Sequence, residues 1–216
     1  MAQPANILNQ NISIKRLHEM RNYGGEILTH GLKEEILKKF ISHDHNLRSA
    51  IESAYENFLV LQKEKPEFLL QTEKEQIKLA QQNIVNFYAN ENVNPYVAIS
   101  AMGPWIVTLK GAVIYDCGGY GMLGLGHSPK LALNEIKKSH VMANVMTPSL
   151  SQMDFIDILK KEIGHSRKNK STFTEFCCLN SGSESVSIGA RLADVNAKEL
   201  TAKGARHHGK TIARLT

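Results

Sequence analysis

Cysteine is scarce in this chain. Only Cys117, Cys177 and Cys178 occur among its 216 residues. An odd number, two of them adjacent, gives neither a disulfide framework nor the spacing of a metal-ligand set. A reducing, cytoplasmic compartment is the simplest expectation. Aromatic residues are also few, at 6% with one tryptophan, and no basic stripe with interleaved aromatics occurs. Nucleic acid is therefore not an expected partner. The first twenty residues contain Gln, Asn, Lys and Arg but no apolar core of a signal peptide. One uncharged run, Asn92 to Leu109, is long enough to raise the question of a membrane span. It is broken by Asn94, Pro95, Gly103 and Pro104, which argues against lipid-facing helix, so no membrane is expected.

What is present is enough apolar material for a core: 42% of the residues are hydrophobic, too many for a disordered chain. The net charge of +5 is unevenly placed. Residues 1–110 balance 12 Lys/Arg against 12 Asp/Glu, whereas residues 111–216 hold 14 against 9. The excess favours anionic ligands in the second half. The runs Lys160–Lys161 and Arg167–Lys170 read as solvated surface.

The first ninety residues read as helical. Leu32, Ile36, Leu37 and Phe40 form one apolar stripe, and Leu47, Ile51, Tyr55, Phe58 and Leu61 a second. Pro66 interrupts the pattern. Thr72 and Glu75 then match a capping box ahead of Ile77, Ala80, Ile84 and Phe87. Such stripes are packing surfaces. Near Asn90 the texture changes. Ile106–Leu109 and Val113–Tyr115 are β-prone runs separated by Lys110-Gly111, a hairpin or strand pair. After the glycines of 118–126, Ser128 and Pro129 are expected to cap and open a helix continued by Leu133, Ile136 and Val141. Ser151 and Asp154, with Leu150 and Phe155 at staple spacing, predict a further helix. Phe155, Leu159 and Ile163 line its apolar face, and Gly164 ends it. Thr172–Leu179 reads as a strand buried on both faces. Asn180–Ser185 turns the chain into a helix whose face carries Val186, Ala190, Ala193 and Ala197, and Lys210–Leu215 reads as the next strand. Helix, strand, turn, helix, strand predicts an α/β crossover sheet.

The strongest site candidate is Asn180-Ser181-Gly182-Ser183-Glu184. First-turn amides of a helix lack intrahelical acceptors and carry partial positive charge, which suits a phosphate. Gly182 lets backbone approach a ligand, and Ser181 and Ser183 add hydroxyl donors. An ordinary helix cap explains the same residues, with a serine as N-cap and Glu184 complementing the helix dipole. Gly119-Tyr120-Gly121-Met122-Leu123-Gly124 matches a dinucleotide-binding pattern. However, no helix opens on it, and no acidic strand end follows about 20 residues later. His43-Asp44-His45 and His207-His208 lack partners at metal-ligand spacing and read as surface or loop residues. Cys177 and Cys178 fall within the expected buried strand without an activating base, and so read as small apolar residues.

Three stretches together resemble the class III aminotransferases, fold-type I enzymes that use pyridoxal 5′-phosphate (PLP). Gly111-Ala112-Val113-Ile114-Tyr115-Asp116, with the glycines that follow, is similar to the family's hairpin, aspartate and glycine-containing loop. Leu123-Gly124-Leu125-Gly126-His127-Ser128-Pro129 is similar to its leucine-glycine-histidine-x-proline element. Asn180-Ser181-Gly182-Ser183-Glu184 is similar to its Asn-Ser-Gly-Thr-Glu phosphate loop. The resemblance covers residues 95–216; Ser185 and Ser187 depart from it, standing where the family usually has small apolar residues. It implies a helical N-terminal extension over 1–94, a segment with the hairpin and glycine-rich loop over 95–150, and the first part of a PLP-transferase-like large domain over 151–216. Ser181, Gly182 and Ser183 would bind the PLP phosphate, and the glycine-rich stretch would lie near a homodimer interface. The implied reaction moves an amino group between an amine or amino acid and a 2-oxo acid. The family's Schiff-base lysine, the acid facing the pyridinium nitrogen and the ring-stacking aromatic all follow the phosphate loop. Lys198, Lys203 and Lys210 do not match that lysine, so no catalytic residue is expected in this chain, and by itself it should neither retain PLP nor transaminate. The alternatives are a non-catalytic remnant that binds a partner through its helical first ninety residues, and a NAD-binding protein using Gly119–Gly124.

Overall fold

A computed structural model describes residues 4–85, 89, 93–117, 124–142, 146–164 and 173–212. The chain is mixed α/β and divides into two compact units, residues 1–140 and 141–216.

In the first unit, α1 (Pro4–Asn22), α2 (Glu34–His43), α3 (His45–Glu64), α4 (Pro66–Leu70) and α5 (Glu73–Ala80) precede a three-stranded antiparallel sheet and the short α6 (Lys130–Ile136). The sheet runs in the order β1 (Ala98–Met102), β2 (Trp105–Thr108), β3 (Val113–Tyr115). The expected strand pair is present: Ile106 faces Ile114 and Val107 faces Val113. The uncharged run Asn92–Leu109 proves to contain two strands, and among the described residues no helix is long and apolar enough to cross a membrane. Helices and sheet share one core, which joins Leu17 and Met20 of α1, Leu37 and Ile41 of α2, and Leu47, Ile51 and Phe58 of α3 to Trp105, Val107 and Val113. The expected segments 1–94 and 95–150 both contribute to it.

Local chemistry explains the helix ends. Asp44 caps α3, its Oδ1 accepting from the amides of Asn46 (2.8 Å) and Leu47 (3.2 Å). The α3 stripe is buried as its spacing predicts, with Tyr55 and Leu61 at its margin. Pro66 ends α3 one residue earlier, at the Lys65 C-cap, and starts α4, where its missing N–H leaves no bond unmade.

The same Asp44 carboxylate joins helix to sheet. Its Oδ2 accepts the indole N–H of Trp105 at 2.7 Å. The Trp105 ring is 1% exposed and meets Phe40 and Tyr115 edge-on, at centroid distances of 5.1 and 5.0 Å. A second buried polar group sits in the β2–β3 turn. Lys110 donates to the carbonyls of Gly24, Leu69 (2.9 Å) and Gln71 (2.8 Å), tying two connections to the sheet. Burial lowers its ammonium pKa, an effect that the nearby Glu73 carboxylate opposes. Glu73 in turn accepts the amides of Leu28 and Thr29, both at 2.7 Å. Gly111 closes the turn at φ +68°, and a Cβ there would lie 2.5 Å from the Leu17 carbonyl oxygen, so only glycine fits.

Several expectations are corrected. In α2, Leu37 and Ile41 face the core, while Ile36 and Phe40 are half-exposed, because the helix presents the neighbouring edge of its stripe. Thr72 does cap α5, accepting from the Glu75 amide at 3.2 Å, but the helix ends at Ala80 and buries Glu73 and Gln76. Ile84 lies beyond it, exposed, and Phe87 is outside the described residues. Ser128 does not cap α6: it takes φ +50° and donates its hydroxyl to the Ala101 carbonyl at 2.9 Å, leaving Pro129 as the N-cap. That helix ends at Ile136, before Val141.

The second unit contains α7 (Leu150–Gly164) and α8 (Gly182–Thr201). The capping of α7 lies two residues before the expected position. Ser149 Oγ accepts the Gln152 amide (3.3 Å), and Gln152 Oε1 accepts the Ser149 amide (3.1 Å), a reciprocal pair that starts the helix at Leu150. Gly164 does end it. Residues 173–179 are not a buried strand. Residues 175–179 form neither helix nor strand, and Phe173, Cys177, Cys178 and Leu179 are exposed. A strand buried on both faces needs a neighbour on each edge, and the described residues of this unit include none. Residues 210–212 form no strand; 213–215 lie outside the described residues. Phe155, Ile163 and Val186 are exposed, so these apolar faces are not packed within the described unit.

Two stability predictions follow from the first unit's buried polar groups. Lys110→Met leaves the Gly24 and Gln71 carbonyls without a donor and the Leu69 carbonyl with only the Gln76 amide at 3.2 Å, and should lower stability by about 3 kcal/mol, read from Trp105 fluorescence in urea. Because the folded lysine releases its proton below the unfolded pKa of about 10.4, wild-type stability should gain on that variant as pH rises through this window. Asp44→Ala removes the α3 cap and orphans a buried indole N–H, for a loss of about 2–4 kcal/mol in the same titration.

Candidate functional site

The turn singled out in the sequence joins the irregular segment 173–179 to α8. Ser181 is the N-cap, at φ −142° and ψ 155°, and its Oγ accepts the Glu184 amide at 3.2 Å. Glu184 reaches back with Oε2 to the amides of Asn180 (3.1 Å) and Ser181 (3.2 Å). This is a complete capping box, which sets the direction of the first turn of α8. Ser185 Oγ and Ser187 Oγ donate to the carbonyls of Ser181 (3.1 Å) and Ser183 (2.9 Å), so neither hydroxyl is directed at the turn's amides.

The three expected phosphate-binding residues therefore differ in what they can offer. The Ser181 amide and hydroxyl are engaged within the cap. The amides of Gly182 and Ser183 donate to no described group, and both residues are exposed. A Cβ built on Gly182 meets nothing within 4 Å, so the approach to these amides is open. They stand at the positive end of a 20-residue helix. The arrangement fits an anion at two donors. The nearby Glu184 carboxylate, already holding two amides, limits the attraction for more negative charge.

In the first unit the structure joins two motifs that the sequence left separate. Asp116 follows β3 and His127 precedes α6, and His127 Nε2 lies 3.0 Å from Asp116 Oδ2. Backbone bonds reinforce the pair: Gly103 and His127 exchange both N–H···O bonds, at 2.9 and 2.8 Å, and the Asp116 amide donates to the Pro104 carbonyl at 2.7 Å. The close approach depends on glycine. Gly126 has φ +74°, and a Cβ there would lie 2.9 Å from Gly103 Cα. A cavity of about 360 Å³ opens beside the pair, lined by Pro104, Asp116, Cys117, Gly124 and His127 among others. Tyr96 is close enough to feel the Asp116 charge; burial, and secondarily that charge, raises its phenol pKa. A histidine and an aspartate eleven residues apart in sequence, each flanking a glycine-rich stretch, were the available signal for this contact.

The remaining candidates are placed as follows. His43-Asp44-His45 is the junction of α2 and α3, where Asp44 has the structural duties described above and His45 Nδ1 lies 3.2 Å from Ser49 Oγ. His207 and His208 lie in turns after α8. Among the described residues no cluster of histidine, cysteine or carboxylate side chains can hold a metal ion. Cys177 and Cys178, expected to be buried, are exposed. In the dinucleotide-like stretch, Gly119–Leu123 lies outside the described residues.

Removing the cap should be measurable. Ser181→Ala should cost α8 about 1 kcal/mol at its N terminus, seen as faster hydrogen exchange of the Glu184 amide with the C-terminal half unchanged. His127→Ala should destabilise the first unit by about 1–2 kcal/mol through loss of the Asp116 bond, measured by urea denaturation. No family model, curated protein or solved structure matches the chain.

Proposed function

We propose that the turn Ser181-Gly182-Ser183 is a phosphate-binding turn for pyridoxal 5′-phosphate, and that the chain is the N-terminal part of a class III aminotransferase with a PLP-transferase-like large domain. In this reading the whole enzyme is a homodimer that moves an amino group between an amine or amino acid and a 2-oxo acid. The observation that carries it is the pair of exposed Gly182 and Ser183 amides at the start of α8, within the motif that resembles the family's phosphate loop. The motif order supports it: hairpin and aspartate, then leucine-glycine-histidine, then phosphate loop.

Gly182 and Ser183 would hold the phosphate through their amides, with the positive end of α8 beneath it. Ser181 contributes by fixing the turn, and its hydroxyl becomes a donor to the phosphate only by giving up its bond with the Glu184 amide. PLP supplies the electron sink for transamination, a chemistry that also requires a lysine and an acidic partner for the ring. Lys198 lies on α8, Lys203 lies in the turns after it, and Lys210 follows those turns; none occupies the family's lysine position. The role of these residues is binding and orientation.

Three charge-assisted bonds, two from the amides and one from the Ser181 hydroxyl once it leaves the Glu184 amide, give roughly 5–8 kcal/mol gross, and lost ligand freedom costs about 4 kcal/mol or more. The net corresponds to affinity of about millimolar at best. A second reading, a non-catalytic binding protein, is favoured by one observation, which lies outside the first ninety residues expected to carry it: Leu150 and Met153 on α7 and Val186 and Leu192 on α8 are largely exposed.

Titration of the isotope-labelled chain with PLP, inorganic phosphate and pyridoxal tests the proposal. Amide signals of Gly182 and Ser183 should shift at millimolar PLP and phosphate but not with pyridoxal. Gly182→Val, whose added carbons enter open space beside the turn, should weaken the response at least several-fold while the rest of the spectrum is preserved. Equal shifts with pyridoxal, or none with phosphate, contradict the reading.

A further inference from the structure

The adjacent cysteines have no part in the phosphate reading, and their surroundings are unusual for neighbours in sequence. In a paired strand, successive side chains point to opposite faces and the backbone ladder holds them there. Here residues 175–179 form neither helix nor strand, and their backbone groups bond to no described residue. Both thiols are exposed. Nothing in the described structure therefore prevents the Cys177–Cys178 peptide from turning to bring both sulfurs to one side. Adjacent Cα atoms are about 3.8 Å apart, below the usual disulfide range of about 4.4–6.8 Å. A ring closed between them is strained, and strained, exposed disulfides are the readily reduced ones.

We propose that Cys177 and Cys178 form a reversible dithiol modification site, oxidised by a hydroperoxide to a disulfide within the dipeptide. In the first step one cysteine thiolate attacks the peroxide, breaking the O–O bond; with hydrogen peroxide the product is a sulfenic acid and one water. In the second, the neighbouring sulfur displaces the sulfenic hydroxyl as a second water and closes the S–S bond. Two thiols are oxidised and one peroxide is reduced. The ring lies two residues before Asn180, whose amide is bound by Glu184, so closure acts directly on the approach to the Ser181 cap. The same pair of sulfurs is the donor set for a trivalent arsenical, which takes two thiols on one atom.

The test uses the full 216-residue chain with Cys117→Ser, which removes the third exposed thiol. Treatment with hydrogen peroxide should give one product lacking two hydrogen atoms, mapped to the Cys177–Cys178 peptide and reversed by dithiothreitol. Phenylarsine oxide should bind one per chain and block that oxidation. Cys177→Ser, a near-isosteric change at an exposed position, should abolish arsenical binding and leave Cys178 as a sulfenic acid that dimedone traps. Disulfides between chains, sulfinic acid on either cysteine without ring closure, or unreactive thiols would each overturn the proposal. None of these outcomes touches the phosphate titration, which is made on the reduced protein.

Discussion

The first unit depends on a single carboxylate. Asp44 meets two demands: one oxygen satisfies the first amides of α3, and the other accepts the buried Trp105 indole. Neither group could stay unpaired without a penalty of order 1–3 kcal/mol. Joining them at one residue fixes where the α2–α3 junction meets the central strand. The aromatic contacts of Trp105 with Phe40 and Tyr115 then follow from the position of the indole. Lys110 does similar work at the other end of that strand, where its ammonium gathers carbonyls from two connections.

This framework supports the Asp116–His127 corner. The β1–β2 connection offers Gly103 and Pro104, and these receive the two ends of the glycine-rich stretch through backbone bonds. Within the motif resemblance, two separately conspicuous residues become one contact. In the second unit the order is different. Its helix starts are well specified by capping boxes, yet its apolar faces are exposed. Among the described residues, local chemistry there determines helix starts without supplying a core, because a cap needs only neighbours in sequence whereas a core needs neighbours in space.

That contrast explains what could be read from the sequence. The α3 stripe, the stop at Pro66, the β2–β3 pairing and the turn into α8 were legible, since each is set by periodicity or by a few adjacent residues. The Asp44–Trp105 bond was not legible: its partners are 61 residues apart, and Asp44 looked like a polar residue between two histidines. Ser128 misled because its hydroxyl is drawn to the Ala101 carbonyl rather than to the helix. Residues 173–179 misled because β propensity describes fit to a sheet and does not create one. Of the candidate site, the turn and its cap were readable. The division of its donors between Glu184 and open solvent needed coordinates.

The central claim is that the Gly182 and Ser183 amides form the anion site. A crystal structure of the chain grown with millimolar pyridoxal 5′-phosphate tests it most directly. The account predicts the phosphate within hydrogen-bonding distance of both amides, with the capping box of Ser181 and Glu184 opened or retained beside it. A phosphate bound elsewhere, with those two amides turned to solvent or to protein, would contradict it.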